Sequence, residues 1–470
     1  MIALGLIAAF ATLLMAGCGI CALLMRGWPV YNVAEFVSLG AFFGGAAVSL
    51  VLWAGGFFVS GPLLQGMVAI CSVIIGALGW RAIRAHRVRF SFPKPRSPWQ
   101  LLLFSVLTTA LATVVIISLG KPLGWDSSFN WEIKARFAFL NGGTMPGNYY
   151  TSSGQALTHP EYPLFIPFTQ LWIDLWIGSP HQFWEKTIFT MWAVAGIILL
   201  SLYAARLTRR RDVGLVTGIF VFFVPYLMRG AGGITSGYAD FPLGVIYLIA
   251  IACLLLHRSK ADTVYLRIYF AALPLLPWLK REGALLWIIA VATGVLLLRK
   301  RLTNPKSWLA FAPGLLVLIG WSLYLRVVGA APSHDFVAMT PRTFAQHLGW
   351  IWPIAQTFVF ELIRPDHWSL FWVLVFAAFV QQTFRRPTDF VGAFAFALVA
   401  PMILYMSIYM FSAWPDYLAH MRASLPRLLL QLTPLGCLLI ASVFAASEQA
   451  LAPRSNVEPA EECATLLPAR

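Results

Sequence analysis

The sequence predicts an all-α polytopic membrane protein, and three observations carry that prediction. Of the 470 residues, 59% are apolar and only 11% are charged, whereas soluble domains average about 25% charged residues. The mean hydropathy is +0.75. Apolar runs of about 18 or more residues recur along the chain, and each can cross a hydrocarbon core of roughly 30 Å as a helix. Soluble enzymes, secreted disulfide scaffolds and disordered proteins are therefore excluded.

The net charge of +15 is confined to short basic clusters between the apolar runs. Such clusters set the orientation of a membrane protein, because cytoplasmic loops are enriched in Lys and Arg. This distribution excludes a nucleic-acid partner and predicts that all the clusters face the cytoplasm. The clusters span 81–96, 206–211, 258–260, 299–306 and 385–386.

Two of the fifteen apolar runs do not fit this sidedness and are not expected to cross. Three apolar runs separate the clusters at 81–96 and 206–211. Two clusters on the same side of the membrane require an even number of crossings between them. The run at 162–178 is short, begins among prolines and carries Asp174, and a charge at the bilayer centre costs about 3 kcal/mol. In 343–363, polar residues recur every three or four positions, which is typical of an interfacial amphipathic helix.

Thirteen spanning helices remain, with the N-terminus outside and the C-terminus inside. Residues 1–97 are interpreted as a three-helix module, 98–446 as the catalytic membrane domain, and 447–470 as a disordered cytoplasmic tail. Most acids and histidines then lie outside, so the chemistry is expected there. The predicted spans are 3–25, 35–57, 62–80, 99–118, 185–205, 213–228, 239–257, 264–279, 283–298, 308–328, 367–383, 389–412 and 426–445.

The outer loop at 119–184 contains the first candidate residues. Asp126 directly follows a spanning helix, so its carboxylate can meet both a lipid headgroup and a polar acceptor. The alternative is a helix cap, a position that favours Asp. Lys134 and Arg136 lie two residues apart and can bind a lipid-linked phosphate or extend along the membrane to reach water.

From about residue 99 to 445, the sequence resembles the GT-C membrane glycosyltransferases, in particular the protein O-mannosyltransferase and aminoarabinose-transferase branch. The similarity rests on Asp126 opening a long outer loop, on Tyr162-Pro163-Leu164 running into an interfacial helix, and on the order and sidedness of three later segments. Those segments are Gly237-Tyr238-Ala239-Asp240-Phe241-Pro242, Lys280-Arg281-Glu282-Gly283 and His420-Met421-Arg422-Ala423-Ser424. Where the family often has a second adjacent acid, this chain has Ser127.

The resemblance implies a GT-C fold and an inverting transfer of a sugar from a polyprenyl phosphate to an acceptor hydroxyl. Asp126 is then the candidate general base, with Asp240 and Glu161 as further catalytic candidates. The second acid stays open between Glu132, Glu161 and Asp240. The expected phosphate ligands are Lys280 and Arg281, and then Lys134 and Arg136. Candidate sugar or acceptor ligands are Glu132, His159, Tyr162, Tyr238, Glu282, His420 and Arg422.

No metal site is assigned, because one histidine with scattered carboxylates does not define one. A divalent cation held by Asp126, His159 and Glu161 stays an alternative. The expected partners are the polyprenyl-phosphate sugar, the lipid bilayer and a glycan, lipid or protein acceptor. The expected location is a bacterial inner membrane, with the site on the outer face.

Two other functions fit the same composition. A transporter or flippase of lipid-linked sugars would place ionisable residues at mid-membrane depth on broken helices. An O-antigen ligase or polymerase would place its key residues in a long late loop. The loop at 329–366, with His334, Asp335 and His347, keeps that alternative open.

Overall fold

The computed structural model describes residues 1–299, 301–331, 335–385 and 389–451. His334 and most of the predicted tail lie outside these ranges. Helix makes up 77% of the structure, which confirms the nearly all-α class. The described strands form one parallel pair, β1 (Val30–Asn32) and β2 (Arg89–Ser91).

The helices are numbered in chain order. The first eleven are α1 (Ile2–Leu24), α2 (Val33–Gly55), α3 (Gly61–Ala85), α4 (Pro98–Gly120), α5 (Ile133–Leu140), α6 (Phe165–Ile177), α7 (Gln182–Glu185), α8 (Thr187–Thr208), α9 (Arg211–Phe220), α10 (Pro225–Arg229) and α11 (Asp240–Lys260). The others are α12 (Thr263–Ala272), α13 (Leu275–Leu279), α14 (Glu282–Leu298), α15 (Ala312–Val327), α16 (Pro341–Gln346), α17 (Ile351–Leu362), α18 (Pro365–Trp368), α19 (Phe371–Arg385), α20 (Asp389–Ser407), α21 (Tyr417–Leu430) and α22 (Thr433–Leu451).

Eight helices in the described ranges are long and apolar enough to cross a membrane, and a ninth candidate is the pair α21–α22, bent by 49°. This confirms a polytopic architecture, but the predicted count of thirteen is not confirmed. One predicted span, 213–228, is broken where Val224 turns extended before Pro225, since proline disfavours helix in the preceding residue. Three other apolar helices, Thr263–Leu279, Glu282–Leu298 and Phe371–Phe384, have fewer than eighteen residues.

The first helices pack through small residues. A Cβ on Gly17 would lie 1.8 Å from the Gly40 carbonyl oxygen, and one on Gly19 would lie 2.4 Å from the Ile75 carbonyl oxygen. Between apolar helices in lipid, close backbone approach at small residues provides the packing. These helices also join the rest of the core, because Trp192 on α8 donates to the Ala41 carbonyl on α2 at 3.1 Å.

The bundle has two chemically different ends. Helix α11 starts at Asp240 and ends with His257, Arg258 and Lys260, and its 21 residues separate these groups by about 30 Å. At the end of the bundle where α11 stops, the Trp28 indole donates to the Asp262 side chain at 2.6 Å. A basic cluster at the end of α8 lies there as well. We call this the basic end. The other end, where Asp126 and Asp240 lie, is the carboxylate end.

Helix α6 enters and leaves at the carboxylate end, as the prediction for 162–178 expects. The chain before it comes from the Asp126 loop, and after it Lys186 bonds the Lys121 carbonyl at 2.6 Å. Trp172 donates to the Ala9 carbonyl at 3.2 Å, so α6 packs against α1. Helix α6 is thus a buried element that dips in from one end without crossing.

The segment 343–363 was expected to be an amphipathic helix in the membrane interface, and its polar residue Glu361 is packed against protein. Glu361 is 7% exposed and accepts hydrogen bonds from Trp368 at 2.9 Å and from His367 at 2.6 Å. Trp352 and Phe360 are instead exposed. Ile354 and Phe358 are buried on the same side as Glu361, and the exposed side is mostly apolar, which suits lipid surroundings.

The placement of α6 predicts the outcome of cysteine labelling. Ser152→Cys and Ser179→Cys, both exposed and on either side of α6, should react with an impermeant maleimide from the same side of sealed vesicles. The matched control Ser259→Cys, exposed at the basic end, should react only after permeabilisation. Labelling of residues 152 and 179 from opposite sides would show that α6 crosses.

Candidate active site

The site is built around Asp240, the first residue of α11, whose side chain is fully buried. Its Oδ1 accepts hydrogen bonds from Lys280 at 2.7 Å and from Gln431 at 2.8 Å, and its Oδ2 faces the Arg427 Nε at 3.3 Å. A buried carboxylate without such partners would be very costly. Three separate chain segments therefore meet on one carboxylate.

Arg427, on α21, connects Asp240 to Asp126. Its Nη2 forms an ion pair with the Asp126 Oδ2, and its guanidinium lies 5.0 Å from the centre of the Tyr238 ring. The Asp126 amide donates to the Tyr238 hydroxyl at 3.1 Å. Neither Asp126 nor Asp240 makes a helix-capping bond. The capping alternative for Asp126 is therefore not realised.

The backbone around Asp126 is unusual. Residues Ser127–Glu132 form a π-helix, a local widening that is frequent at functional sites. The Gly124 amide and the Ser127 hydroxyl both donate to the Ser236 carbonyl, at 2.9 and 3.1 Å. Gly237 adopts φ of +78°, and a Cβ there would lie 2.7 Å from Leu123. The Asp126 loop is thus fixed to the turn that precedes Asp240.

Lys280 is occupied by carboxylates. Besides Asp240, it contacts the Glu282 Oε1 at 3.0 Å, and its side chain is only 1% exposed. The Glu282 Oε2 is buried with no hydrogen-bond partner among the described residues. The predicted phosphate ligand Lys280 is therefore surrounded by negative charge, whereas its neighbour Arg281 has a half-exposed side chain.

A second acidic cluster surrounds Glu161. Its Oε1 lies 3.3 Å from the His159 Nδ1 and 3.5 Å from the Arg281 Nη1. Asp335, from the late loop, approaches the same histidine nitrogen at 3.7 Å. Burial raises the pKa of Glu161, but hydrogen bonding and charge from His159 and the charge of Lys134 outweigh it, so the pKa lies below its usual value. Glu161 is an ionised carboxylate.

Tyr162 joins the two clusters. Its ring stacks on His159 and Trp131, with centroid separations of 4.9 and 5.5 Å. The pKa of Tyr162 is raised well above its usual value, first by burial and then by the charges of Glu282 and Glu161. The phenol is therefore neutral, and acids of both clusters act on it electrostatically.

Lys134 and Arg136 diverge. Lys134 is fully buried and donates to the His159 carbonyl at 2.6 Å, and burial lowers its pKa to about 7. Arg136 is exposed, and its charge influences the pKa of Glu132. Burial raises the pKa of Glu132 while the charge of Arg136 lowers it, leaving it above the usual value. Glu132 also acts electrostatically on the buried acid Asp174, and no contact joins it to Asp126 or Asp240 among the described hydrogen bonds.

His420 and Arg422 lie at the edge of the site. His420 is buried, bonds the Ser412 hydroxyl at 2.9 Å and stacks on Trp414 at 4.7 Å. Arg422 is exposed and pairs with Asp416 at 3.2 Å. The structure therefore does not bring these two predicted ligands into contact with the central acids.

A groove of about 360 Å³ opens beside Glu161 and Arg281. Its other walls are apolar and include Pro277, Leu318 and Trp321. Trp321 is held in place by donating to the Glu161 carbonyl at 2.9 Å. The groove thus combines a charged mouth with an apolar wall, which suits an amphipathic ligand.

Among the described residues, no group of three or more His, Cys, Asp or Glu side chains is arranged to hold a metal ion. Asp126 is bound by Arg427, while His159 contacts both Glu161 and Asp335. The alternative of a cation shared by Asp126, His159 and Glu161 therefore gains no geometric support.

The sequence alone assigned no role to Arg427, Gln431 or Tyr405. Arg427 lies one turn before the end of α21, where apolar residues follow it, and an ionisable residue in an apolar membrane segment points to a functional site by itself. That signal was available. Gln431 accepts from the Tyr405 hydroxyl at 2.7 Å, and nothing in the sequence connects these two positions.

Comparisons of the chain with protein-family models, with curated protein sequences and with solved structures give no match.

Removing one partner from the central cluster should destabilise the fold. Asp240→Asn leaves Lys280 and Arg427 buried with one carboxylate fewer, and breaking a buried ion pair in this way costs about 3–5 kcal/mol. We expect a lower thermal unfolding midpoint in detergent. Asp366→Asn, an exposed acid paired only with neighbouring Arg364 and His367, is the control. Equal unfolding midpoints for both variants would show that Asp240 does not stabilise the fold.

The buried amine of Lys134 predicts a pH dependence of stability. Its folded pKa of about 7 lies below the unfolded value of about 10.4, so the unfolded state binds more protons between these values. The contribution of Lys134 to the free energy of unfolding therefore rises with pH between these two pKa values. In Lys134→Met the unfolding midpoint should rise less between pH 7 and 10, whereas Lys306→Met, in an exposed position, should follow the parent. Parallel curves for all three proteins would refute the burial of a neutral amine.

Proposed function

We propose that this protein is a membrane glycosyltransferase that moves a sugar from a polyprenyl phosphate to an acceptor hydroxyl, with inversion. The observation that carries the proposal is the geometry of Asp126. This partly accessible carboxylate is oriented by Arg427 at the same end of the bundle as a groove with a charged mouth and apolar walls. The GT-C resemblance of residues 99–445 supports the same chemistry.

Asp126 is the proposed general base. Arg427 holds its Oδ2, which leaves Oδ1 to take the proton from the acceptor hydroxyl, a poor nucleophile while protonated. As the hydroxyl oxygen bonds to the anomeric carbon, the bond from that carbon to the phosphate oxygen breaks. The electron pair leaves with the phosphate, so the products are the glycosylated acceptor and the polyprenyl phosphate. No general acid is needed.

Arg281 is the first proposed phosphate ligand. It lines the groove and is 47% exposed, and its ion pair with Glu161 is long, at 3.5 Å. A guanidinium can bind two phosphate oxygens at once. Lys280 is assigned a supporting role instead, because its ammonium already contacts Asp240 and Glu282. Glu282, whose Oε2 has no hydrogen-bond partner within the described part of the chain, and Tyr162 are the proposed ligands of sugar hydroxyls.

The polyprenyl chain would follow the apolar wall of the groove past Pro277, Leu318 and Leu325. The basic clusters lie at the opposite end of the bundle, and the positive-inside bias places that end in the cytoplasm. We therefore propose that the carboxylate end is the outer face of a bacterial inner membrane. This sidedness gives the site access to donors and acceptors outside the cytoplasm.

One observation favours a transporter as the second candidate. The α21–α22 pair is bent by 49°, and Pro426 and Arg427 lie near that bend. Broken helices with charges near the break are typical of transport sites. A ligase or polymerase has the support of Asp335, because this late-loop acid reaches His159. Glycosyl transfer is preferred because the acids gather at one end of the bundle.

The test combines native mass spectrometry with a transfer assay. We expect a polyprenyl phosphate or its sugar derivative to co-purify with the protein in mild detergent. Asp126→Asn should retain this lipid. Its rate of transfer of labelled sugar from a polyprenyl-phosphate donor should fall at least about 10²-fold, which is the usual contribution of a general base. Arg281→Gln should retain far less of the lipid.

The matched controls are Asp366→Asn and Arg422→Gln, two exposed residues at the same end, and both should behave as the parent. Transfer near the parental rate in Asp126→Asn would remove its role as base. If the parent protein retains the donor lipid but transfers no sugar, and if it moves the intact donor across vesicle membranes, the protein is a transporter instead.

A further inference from the structure

The second large cavity lies at the basic end, far from the carboxylates. It measures about 350 Å³ and lies between the linker after β2, the last two turns of α8 and the first turns of α9. We call it the basic-end groove and define it by the lining segments 91–96, 201–206 and 211–215. It shares no residue with the groove at the carboxylate end.

The lining of the basic-end groove is amphipathic and carries one sign of charge. Lys94, Arg96, Arg206 and Arg211 line it together with apolar side chains, and no acidic residue does. Glu35 neutralises Arg206 from behind through a bidentate ion pair. The positive charge that faces the groove therefore comes mainly from the linker and from the start of α9.

The depth of the groove matches one leaflet of a bilayer. Ser201 lies seven residues before the end of α8, which is about 10 Å along a helix. Phe104, one and a half turns into α4, is 37% exposed and lines the same groove. The neighbouring Trp99, 56% exposed, is typical of the membrane–water interface. The apolar part is thus at acyl-chain depth and the cations are at headgroup depth.

The groove is preformed by contacts that hold the linker. The linker follows β2, which pairs with β1 through Tyr31↔Phe90 and Asn32↔Ser91. The Arg211 guanidinium donates to the Lys94 carbonyl at 3.2 Å. Inside, the buried Ser201 hydroxyl has no hydrogen-bond partner among the described residues. Such a preorganised, partly unsatisfied groove loses little entropy on binding.

We propose that the basic-end groove is a binding site for an anionic phospholipid. The phosphate of the headgroup lies against Lys94 and Arg96, and one acyl chain runs along Phe104, Leu202 and Leu215. Basic pockets between membrane helices on the cytoplasmic side recognise anionic headgroups in this way. The lipid joins the linker, α4, α8 and α9, and so tethers residues 89–97 to the main bundle.

The experiment titrates the delipidated full-length protein with phosphatidylglycerol or phosphatidylcholine and counts bound lipids by native mass spectrometry. The parent should prefer phosphatidylglycerol. Lys94→Gln/Arg96→Gln should weaken its binding roughly thirtyfold, since each surface cation contributes about fivefold, and should leave phosphatidylcholine binding unchanged. The control pair Arg81→Gln/Arg87→Gln removes the same charge at the same end, outside the groove, and should change affinity less than about threefold.

Two outcomes would overturn the proposal. Equal weakening by both double variants would show diffuse attraction to the basic end without a site. Displacement of phosphatidylglycerol by millimolar inorganic phosphate would show a phosphate site that ignores the acyl chain. Because all four substituted residues are exposed, an unchanged thermal midpoint of the delipidated variants serves as the check on folding.

Discussion

The structure depends on the interactions of one buried carboxylate. Asp240 is fully enclosed and is stabilised by Lys280, Arg427 and Gln431, which come from the turn before α14 and from the α21–α22 region. An ionised group in a low-dielectric interior persists only with such partners. Any displacement of these segments would leave a charge unpaired, so the ion cluster fixes the relative position of elements that are distant in sequence.

The same cluster orients the proposed general base at its surface. Arg427 is shared between Asp240, which is inaccessible, and Asp126, which is partly accessible. The buried acid thereby positions the guanidinium, and the guanidinium orients the surface acid. Lys280 plays the equivalent part for Glu282. Interior electrostatics of this kind set the direction of a reactive group before any substrate arrives, which is the basis of electrostatic preorganisation.

The two ends of the bundle carry the two proposed binding sites. Paired acids, an ionised Glu161 and a neutral Tyr162 surround the proposed reaction site at the carboxylate end, while the basic-end groove carries cations over apolar walls. The N-terminal helices serve both ends. They pack against α6, which follows the Tyr162 segment, and through β1 they hold the linker that forms the basic-end groove.

Composition and hydropathy alone determined the membrane class and most helix positions, because a lipid-exposed segment must be apolar throughout and must satisfy its backbone internally. The parity of basic clusters also identified α6 as an element that does not cross. Asp126, Asp240 and Glu161 could be selected as carboxylates near helix ends. Only the tertiary structure decided that Arg427, 301 positions after Asp126, binds it, that Lys280 is already occupied, and that Lys134 and Arg136 face different ways. Pairing between distant segments depends on three-dimensional packing, on which local sequence patterns carry no information.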